Sequence, residues 1–217
     1  MTDFLYPFID AEERDPGPLL ADLAASAAAK ASDTLSLRAA TRASEGASVA
    51  RLANDMASRF RAGGRLLTFG NGGSATDAAS AAALFRAPPG DDTGPSRPLP
   101  ARSLVADEAV LTALANDVGF ELVFSRQVIA HGRAADIALG VSTSGNSANV
   151  MRALVEARSR GMLTVGFAGY EGGEMAGAGL DHCIVVRSAS VHRIQETQAA
   201  LLYDLWHEVQ ACLAPAA

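Results

Sequence analysis

Two stretches of this chain build the same device, and that repetition limits the fold more than any other feature. At Ile137 to Val141 a short apolar run ends in Ser142, Thr143, Ser144, Gly145, Asn146 and Ser147. Val150, Met151, Leu154 and Val155 then recur at helical spacing. At Arg65 to Phe69 a second apolar run ends in Gly70, Asn71, Gly72, Gly73 and Ser74, and a small-residue helical stretch follows from Ala75 to Leu84. Each reads as strand, tight polar turn, helix. The first N–H groups of a helix have no internal partner and carry partial positive charge. Hydroxyls gathered there make a cup suited to a phosphate or other anion. In the Ser142 stretch taken alone, hydroxyls that merely cap the helix are an equal alternative. The second copy favours the cup, because two such turns at the carboxyl ends of parallel strands open into one crevice.

The rest of the chain supplies the elements such a sheet needs. The 217 residues suffice for one substantial α/β domain with a full core. Hydrophobic residues make up 49% and charged residues 19%, which fits a folded domain and excludes disorder. A formal charge of −6 without any Lys/Arg cluster gives no expectation of direct nucleic-acid binding. Ala24 to Ala29 reads as helix and not as a membrane span, since Lys30 and Asp33 follow closely. The acidic start carries no secretory pattern. Cys183 and Cys212 form neither a disulfide framework nor a metal spacing. A cytoplasmic protein is expected.

In chain order, Met1 to Pro16 reads as an arm whose Phe4, Leu5, Tyr6, Phe8 and Ile9 need something to pack on. Pro18 suits a first helical turn. One helix is expected from Leu19 to about Ala43 and another from about Gly46 to Arg61, stopped by Gly63 and Gly64. Residues 1–45 are thus an arm and helix for oligomerisation, and 46–213 the α/β domain. Ala87 to Ala101 is a Pro/Gly/Asp loop. Strands follow at Ser103 to Ala106, Ile137 to Val141, Leu163 to Phe167 and Cys183 to Val186, alternating with helices. Ser190 is placed to cap a last helix reaching Leu213. This alternation implies a mainly parallel sheet covered on both faces.

The motifs resemble one family. GNGGS at Gly70 to Ser74, AND at Ala115 to Asp117, STSGNSANV at Ser142 to Val150 and RIQE at Arg193 to Glu196 occur in this order in the sugar isomerase (SIS) domain family. More narrowly, they look like its phosphoheptose isomerase branch, which also contains the DnaA initiator-associating protein. The resemblance implies a single SIS domain: a five-stranded parallel sheet flanked by helices, a flavodoxin-like three-layer fold with an N-terminal helical extension, assembled as a homotetramer. It implies a sugar phosphate ligand. Ser142, Thr143, Ser144 and Ser147 would hold the phosphate, and Asn71, Gly72, Gly73, Ser74, Asn116, Asp117 and Gln195 would line the sugar.

The departures from the family pattern bear on catalysis. Active isomerases of the branch carry a metal-binding His and a catalytic Glu on the helix after GNGGS; the matching positions are Ser80 and Leu84. The catalytic His of the final helix matches Tyr203, and an Asp before RIQ matches His192. Of four metal ligands only Gln195 remains, so neither metal nor other cofactor is expected. His192, Glu196 and Asp117 are substitute candidates for the missing catalyst. Each has a plainer role: a surface or capping histidine, a solvated helix face and a helix cap. His207 reads as surface or interface, and His131 as a cation at a helix C-terminus. His182 carries no signal, and Trp206 reads as packing. Gly70, Gly72 and Ala75 also satisfy a dinucleotide fingerprint. Its acidic partner would be Asp91 or Asp92, inside the Pro/Gly loop, and the second cup would then have no use. The expected function is a phosphosugar-binding sensor or partner-binding protein. The alternatives are an isomerase with substitute groups and a tetrameric adaptor presenting itself to a protein partner.

Overall fold

The computed structural model describes residues 17–89 and 96–214. The apolar arm at Phe4 to Ile9 and the pair Asp91 and Asp92 lie outside the described residues. The chain divides into two compact units, Met1–Ser36 and Leu37–Ala217. The described part of the first unit is helical from Gly17 and exposes Leu19, Leu20, Leu23 and Leu35. Thr34 turns its hydroxyl back to Lys30 O at 3.0 Å.

Helix α1 (Gly17–Arg61) does not break where the sequence suggested two helices. It runs through Gly46, whose missing side chain leaves no neighbour within 4 Å. A glycine inside a helix costs only about 1 kcal/mol against alanine. Burial of Val49, Leu52, Met56 and Phe60 beyond it outweighs that, at about 1.5–3 kcal/mol for each large apolar side chain. The chain does stop at Gly63 (φ 79°) and Gly64, as expected.

The second unit is built on five parallel strands: β1 (Leu66–Gly70), β2 (Ala101–Ser103), β3 (Ile137–Ser142), β4 (Leu163–Gly169) and β5 (His182–Val186). Between and after them come α2 (Gly73–Arg86), α3 (Glu108–Asp117), a 3-10 turn at Phe120–Leu122, α4 (Val123–His131), α5 (Ala148–Ser159), α6 (Gly173–Gly177) and α7 (Val191–Leu213). The order across the sheet is β2-β1-β3-β4-β5. Every residue of β1, β3 and β4 is buried, as unbroken apolar runs in a doubly covered parallel sheet should be. One face packs Leu66, Leu139 and Val165 with Leu52 and Met56 of α1, Phe85 of α2, and Leu205 and Trp206 of α7. The other packs Leu67 and Phe69 with Phe124 and Val128 of α4 and Val150 and Leu154 of α5. Edge strand β2 starts and ends earlier than expected, at Ala101 and Ser103. Ser190 occupies the N-cap of α7, but its side chain makes no cap bond; its own N–H donates to Ser188 Oγ at 3.2 Å. Both cysteines are free, and burial pushes the Cys183 thiol up to about 11.

Candidate ligand-binding crevice

The strand order reverses direction between β1 and β3, the place where open α/β sheets bind their ligands. The register pairs Gly70 with Val141, so the glycine-rich turn and the serine-rich turn leave the sheet side by side.

In the serine-rich turn, Ser142 Oγ lies 2.9 Å from Ser147 Oγ and 3.5 Å from Ser144 Oγ. The Asn146 N–H donates to Ser144 Oγ at 3.2 Å. Ser147 stands at the N-cap of α5 but makes no side-chain cap bond. The hydroxyls therefore face one another rather than the helix backbone, which removes the capping alternative for Ser147. Three hydroxyls clustered before the positive end of a 12-residue helix suit an anion. Thr143 closes the turn through its carbonyl, which accepts the Gly169 N–H at 3.0 Å. The turn is braced from outside by α6. Met175 N–H donates to Gly145 O at 3.0 Å, and Glu174 N–H donates to Asn146 Oδ1 at 2.7 Å. Gly145 has φ 67°, and a Cβ there would sit 2.0 Å from Gly172 O, so only glycine fits.

The glycine-rich turn is tied to this cup by a residue that sequence reasoning passed over. Asn71 and Asn149 exchange two amide hydrogen bonds, at 2.8 and 2.9 Å. The only signal available was an asparagine in the first turn of α5, where a side chain can reach back to a neighbouring strand end. Gln195 of α7 lies over the same turn: a Cβ on Gly73 would come within 2.2 Å of its Nε2. Gly72 (φ 54°) stands at the N-cap of α2, and Ser74 is buried in that helix's first turn. A cavity of about 430 Å³ adjoins Asn71 and Gly72, with Val105, Leu111, Phe120 and Phe124 in its wall. The structure thus gathers Asn71, Gly72, Gly73, Gln195 and the hydroxyls of Ser142, Ser144 and Ser147, with Thr143 in the same turn held by its carbonyl. Asn116 and Asp117 are exposed at the end of α3, where Asn116 Nδ2 donates to Asp117 Oδ1 at 2.9 Å.

The positions where the family pattern puts metal ligands and catalysts do not make a metal site. Ser80 is exposed, Leu84 packs against the apolar core, and Tyr203 is 48% exposed with its ring 5.4 Å from Trp206. Leu84 offers no donor atom, and a hydroxyl, an amide and a phenol are not a zinc set. Among the described residues no three His, Cys, Asp or Glu side chains gather to hold a metal. His192 is exposed at the start of α7. Glu196 pairs with Arg193 at 2.5 Å, and its carbonyl accepts Arg38 Nη2. His207 lies edge-on to Trp206 at 6.4 Å, in a groove with Arg42, Val49, Tyr203 and Asp204. His131 ends α4 as expected, but burial and the cations of Arg102 and Arg65 disfavour its protonation, so it is no ready dipole partner. His182, silent in the sequence, meets Asp55 Oδ2 at 2.7 Å. In α2, Asp77 Oδ2 is buried without a hydrogen-bond partner, and burial raises that carboxyl's pKa.

Comparison with known proteins agrees with this fold. Residues 31–169 match the SIS domain family. The phosphoheptose isomerase of Paramagnetospirillum magneticum is 42% identical over 170 residues, 76% of this chain and 84% of that protein. The solved structure of phosphoheptose isomerase from Neisseria gonorrhoeae is similar with a TM-score of 0.80 at 34% identity, covering 87% of this chain and 99% of that one. The structure of a phosphoheptose isomerase from Francisella tularensis gives 0.78 at 28% identity, covering 86% and 97%.

Proposed function

The chain belongs to the SIS domain family and is phosphoheptose isomerase-like, and from that premise we propose that it binds a hexose or heptose phosphate without isomerising it, serving as a sensor or partner-binding protein. The observation that carries the proposal is Leu84. Moving a proton between adjacent carbons of a sugar needs a positioned base. Leu84 stands where the family pattern has that base, and Ala81, Ala82, Ala83 and Phe85 around it are apolar too. Tyr203, in the place of the second catalyst, has a phenol whose ordinary pKa of about 10 makes it a poor proton carrier near neutrality. One general acid or base typically contributes about 10²–10⁴ in rate, and both positions are lost. The mutually facing hydroxyls of Ser142, Ser144 and Ser147, braced by α6, support the phosphate-binding half of the proposal.

A second reading has an observation of its own. Relatives at 42% identity are named phosphoheptose isomerases, so turnover through His192, Glu196 or Asp117 is the competing proposal. A third, a protein-binding adaptor, dispenses with the ligand. One experiment separates them. Purified protein is titrated with sedoheptulose 7-phosphate in a calorimeter, and the same ligand is followed by NMR for conversion, with and without added zinc. Binding without conversion supports the proposal. Conversion that survives EDTA and disappears in His192→Ala assigns the chemistry to that histidine and overturns it. Absence of binding leaves the adaptor. A homotetramer in the cytoplasm, with crevices near subunit boundaries, goes with the same proposal. Among the described residues no helix is long and apolar enough to cross a membrane.

A further inference from the structure

We infer that Asn149 is a positioning residue: it orients the Asn71 amide so that the glycine-rich turn offers one donor and one acceptor to a sugar hydroxyl. This deepens the sugar-phosphate reading and rests on it. Asn149 is 3% exposed in the first turn of α5. Its Oδ1 accepts the Val150 N–H at 2.9 Å and Asn71 Nδ2 at 2.8 Å, while its Nδ2 donates to Asn71 Oδ1 at 2.9 Å. The two ends of an amide are alike in shape, and only their bonding tells them apart. Here the backbone decides. The Val150 N–H is a donor and nothing else, so only the oxygen of Asn149 can stand against it. With Asn149 fixed, Asn71 has one compatible orientation, since a flipped amide would set oxygen on oxygen and NH₂ on NH₂.

A side-chain amide has two N–H donors and an oxygen with two lone pairs. The pair consumes one of each on Asn71. The second N–H and second lone pair belong to a half-buried side chain at the crevice mouth. A hydroxyl, which donates and accepts, satisfies both at once. A phosphate oxygen that only accepts would leave the Asn71 carbonyl facing negative charge. The crevice therefore separates its chemistries: the anion belongs to the hydroxyl cup, and the polyol chain to Asn71. Asn149 holds the two together across 78 residues of sequence, on the same helix whose N-terminus makes the cup.

Asn149→Asp tests this, because an ionised carboxylate still accepts from Val150 N–H and Asn71 Nδ2 but can no longer donate to Asn71 Oδ1. The protonated acid can. Affinity for sedoheptulose 7-phosphate is compared with that for methyl phosphate, a phosphate monoester with no polyol chain, by calorimetry from pH 7.5 down to about pH 4. At pH 7.5 the ratio of the two affinities is expected to fall about tenfold in the variant, the weight of one or two hydrogen bonds to the polyol; the new carboxylate in the first turn of α5 repels both phosphates alike and cancels in the ratio. Towards about pH 4, the ordinary range of an aspartate, the new carboxyl begins to protonate and the ratio of the two affinities should return towards wild type. A residue that only supported the fold would show no such return. If Asn149→Asp does not fold, Asn149→Ala should show the same selective loss without pH dependence. Equal weakening of both ligands, or a ratio in Asn149→Asp that stays at its wild-type value or does not respond to pH, overturns the inference. Wild-type protein that binds neither ligand overturns the sugar-phosphate reading itself and this one with it. Wild-type binding alongside an unselective variant overturns this one alone.

Discussion

Replacing Gly145 by alanine should cost the protein several kcal/mol, and the structure says where each part arises. The residue has φ 67°, a left-handed conformation in which a Cβ costs about 1–2 kcal/mol. The new methyl would lie 2.0 Å from Gly172 O and 2.6 Å from its carbon, both backbone atoms that no rotamer change can move aside. The serine-rich turn and α6 would have to part by more than an ångström, judged against an ordinary contact of 3.4 Å or longer. That separation breaks the bonds from Met175 N–H to Gly145 O and from Glu174 N–H to Asn146 Oδ1. Each contributes about 0.5–1.5 kcal/mol net, so the total loss is about 2–5 kcal/mol. The control is Gly46→Ala, inside α1, where nothing lies within 4 Å of the added methyl and helix propensity favours it by about 0.5–1 kcal/mol. One chemical change thus has opposite signs at two glycines. Urea unfolding followed by circular dichroism reads both by linear extrapolation. Protein concentration is held constant, because assembly shifts apparent stability. A Gly145→Ala protein within 1 kcal/mol of wild type, or a Gly46→Ala protein destabilised as much, would refute the reasoning.

Ser144→Ala should weaken sugar-phosphate binding about tenfold by calorimetry while the fold survives, since a hydrogen bond to a charged group contributes about 1.5–3 kcal/mol; unchanged affinity would remove the hydroxyl from the cup. Burial holds the Asp77 carboxyl above its ordinary 3.8, so the native state binds that proton more tightly than the unfolded chain. Stability therefore declines as pH rises from about 3.8 through the raised native value, and stays lowered above it. Asp77→Asn should melt above wild type at pH 7, with the gap closing towards about pH 4; equal melting temperatures at pH 7 would contradict the burial argument. Light scattering at micromolar concentration should return the mass of a homotetramer, and a monomer would end that proposal.

Some of the site was readable because it is local. The strand–turn–helix device needs only contiguous residues: apolar runs for buried strands, then glycine, serine and asparagine where the chain turns, then helical spacing. The cup residues Ser142, Thr143, Ser144 and Ser147 fall within one such turn, and the structure sets Ser142, Ser144 and Ser147 hydroxyl to hydroxyl. The error at α1 has the same origin. A glycine at position 46 is a local stop signal, and it lost to tertiary burial of Val49, Leu52, Met56 and Phe60, which no local pattern can weigh.

His182 illustrates the other side. Nothing near it in the chain announces a partner, because Asp55 is 127 residues away. The Asn71–Asn149 pair and the seat of Gln195 over Gly73 are of the same kind. Amino-acid order alone determined most of the elements, the continuity of α1 and the bounds of β2 excepted, that the sheet is parallel, and which residue types line each turn, since periodicity and turn chemistry act over a few neighbours. Only the tertiary structure decided that Ser147 faces Ser142 instead of capping its helix, that α6 braces the cup, and which asparagine holds which. Those outcomes depend on distances between strand ends, and strand order across a sheet is set by packing of the whole chain.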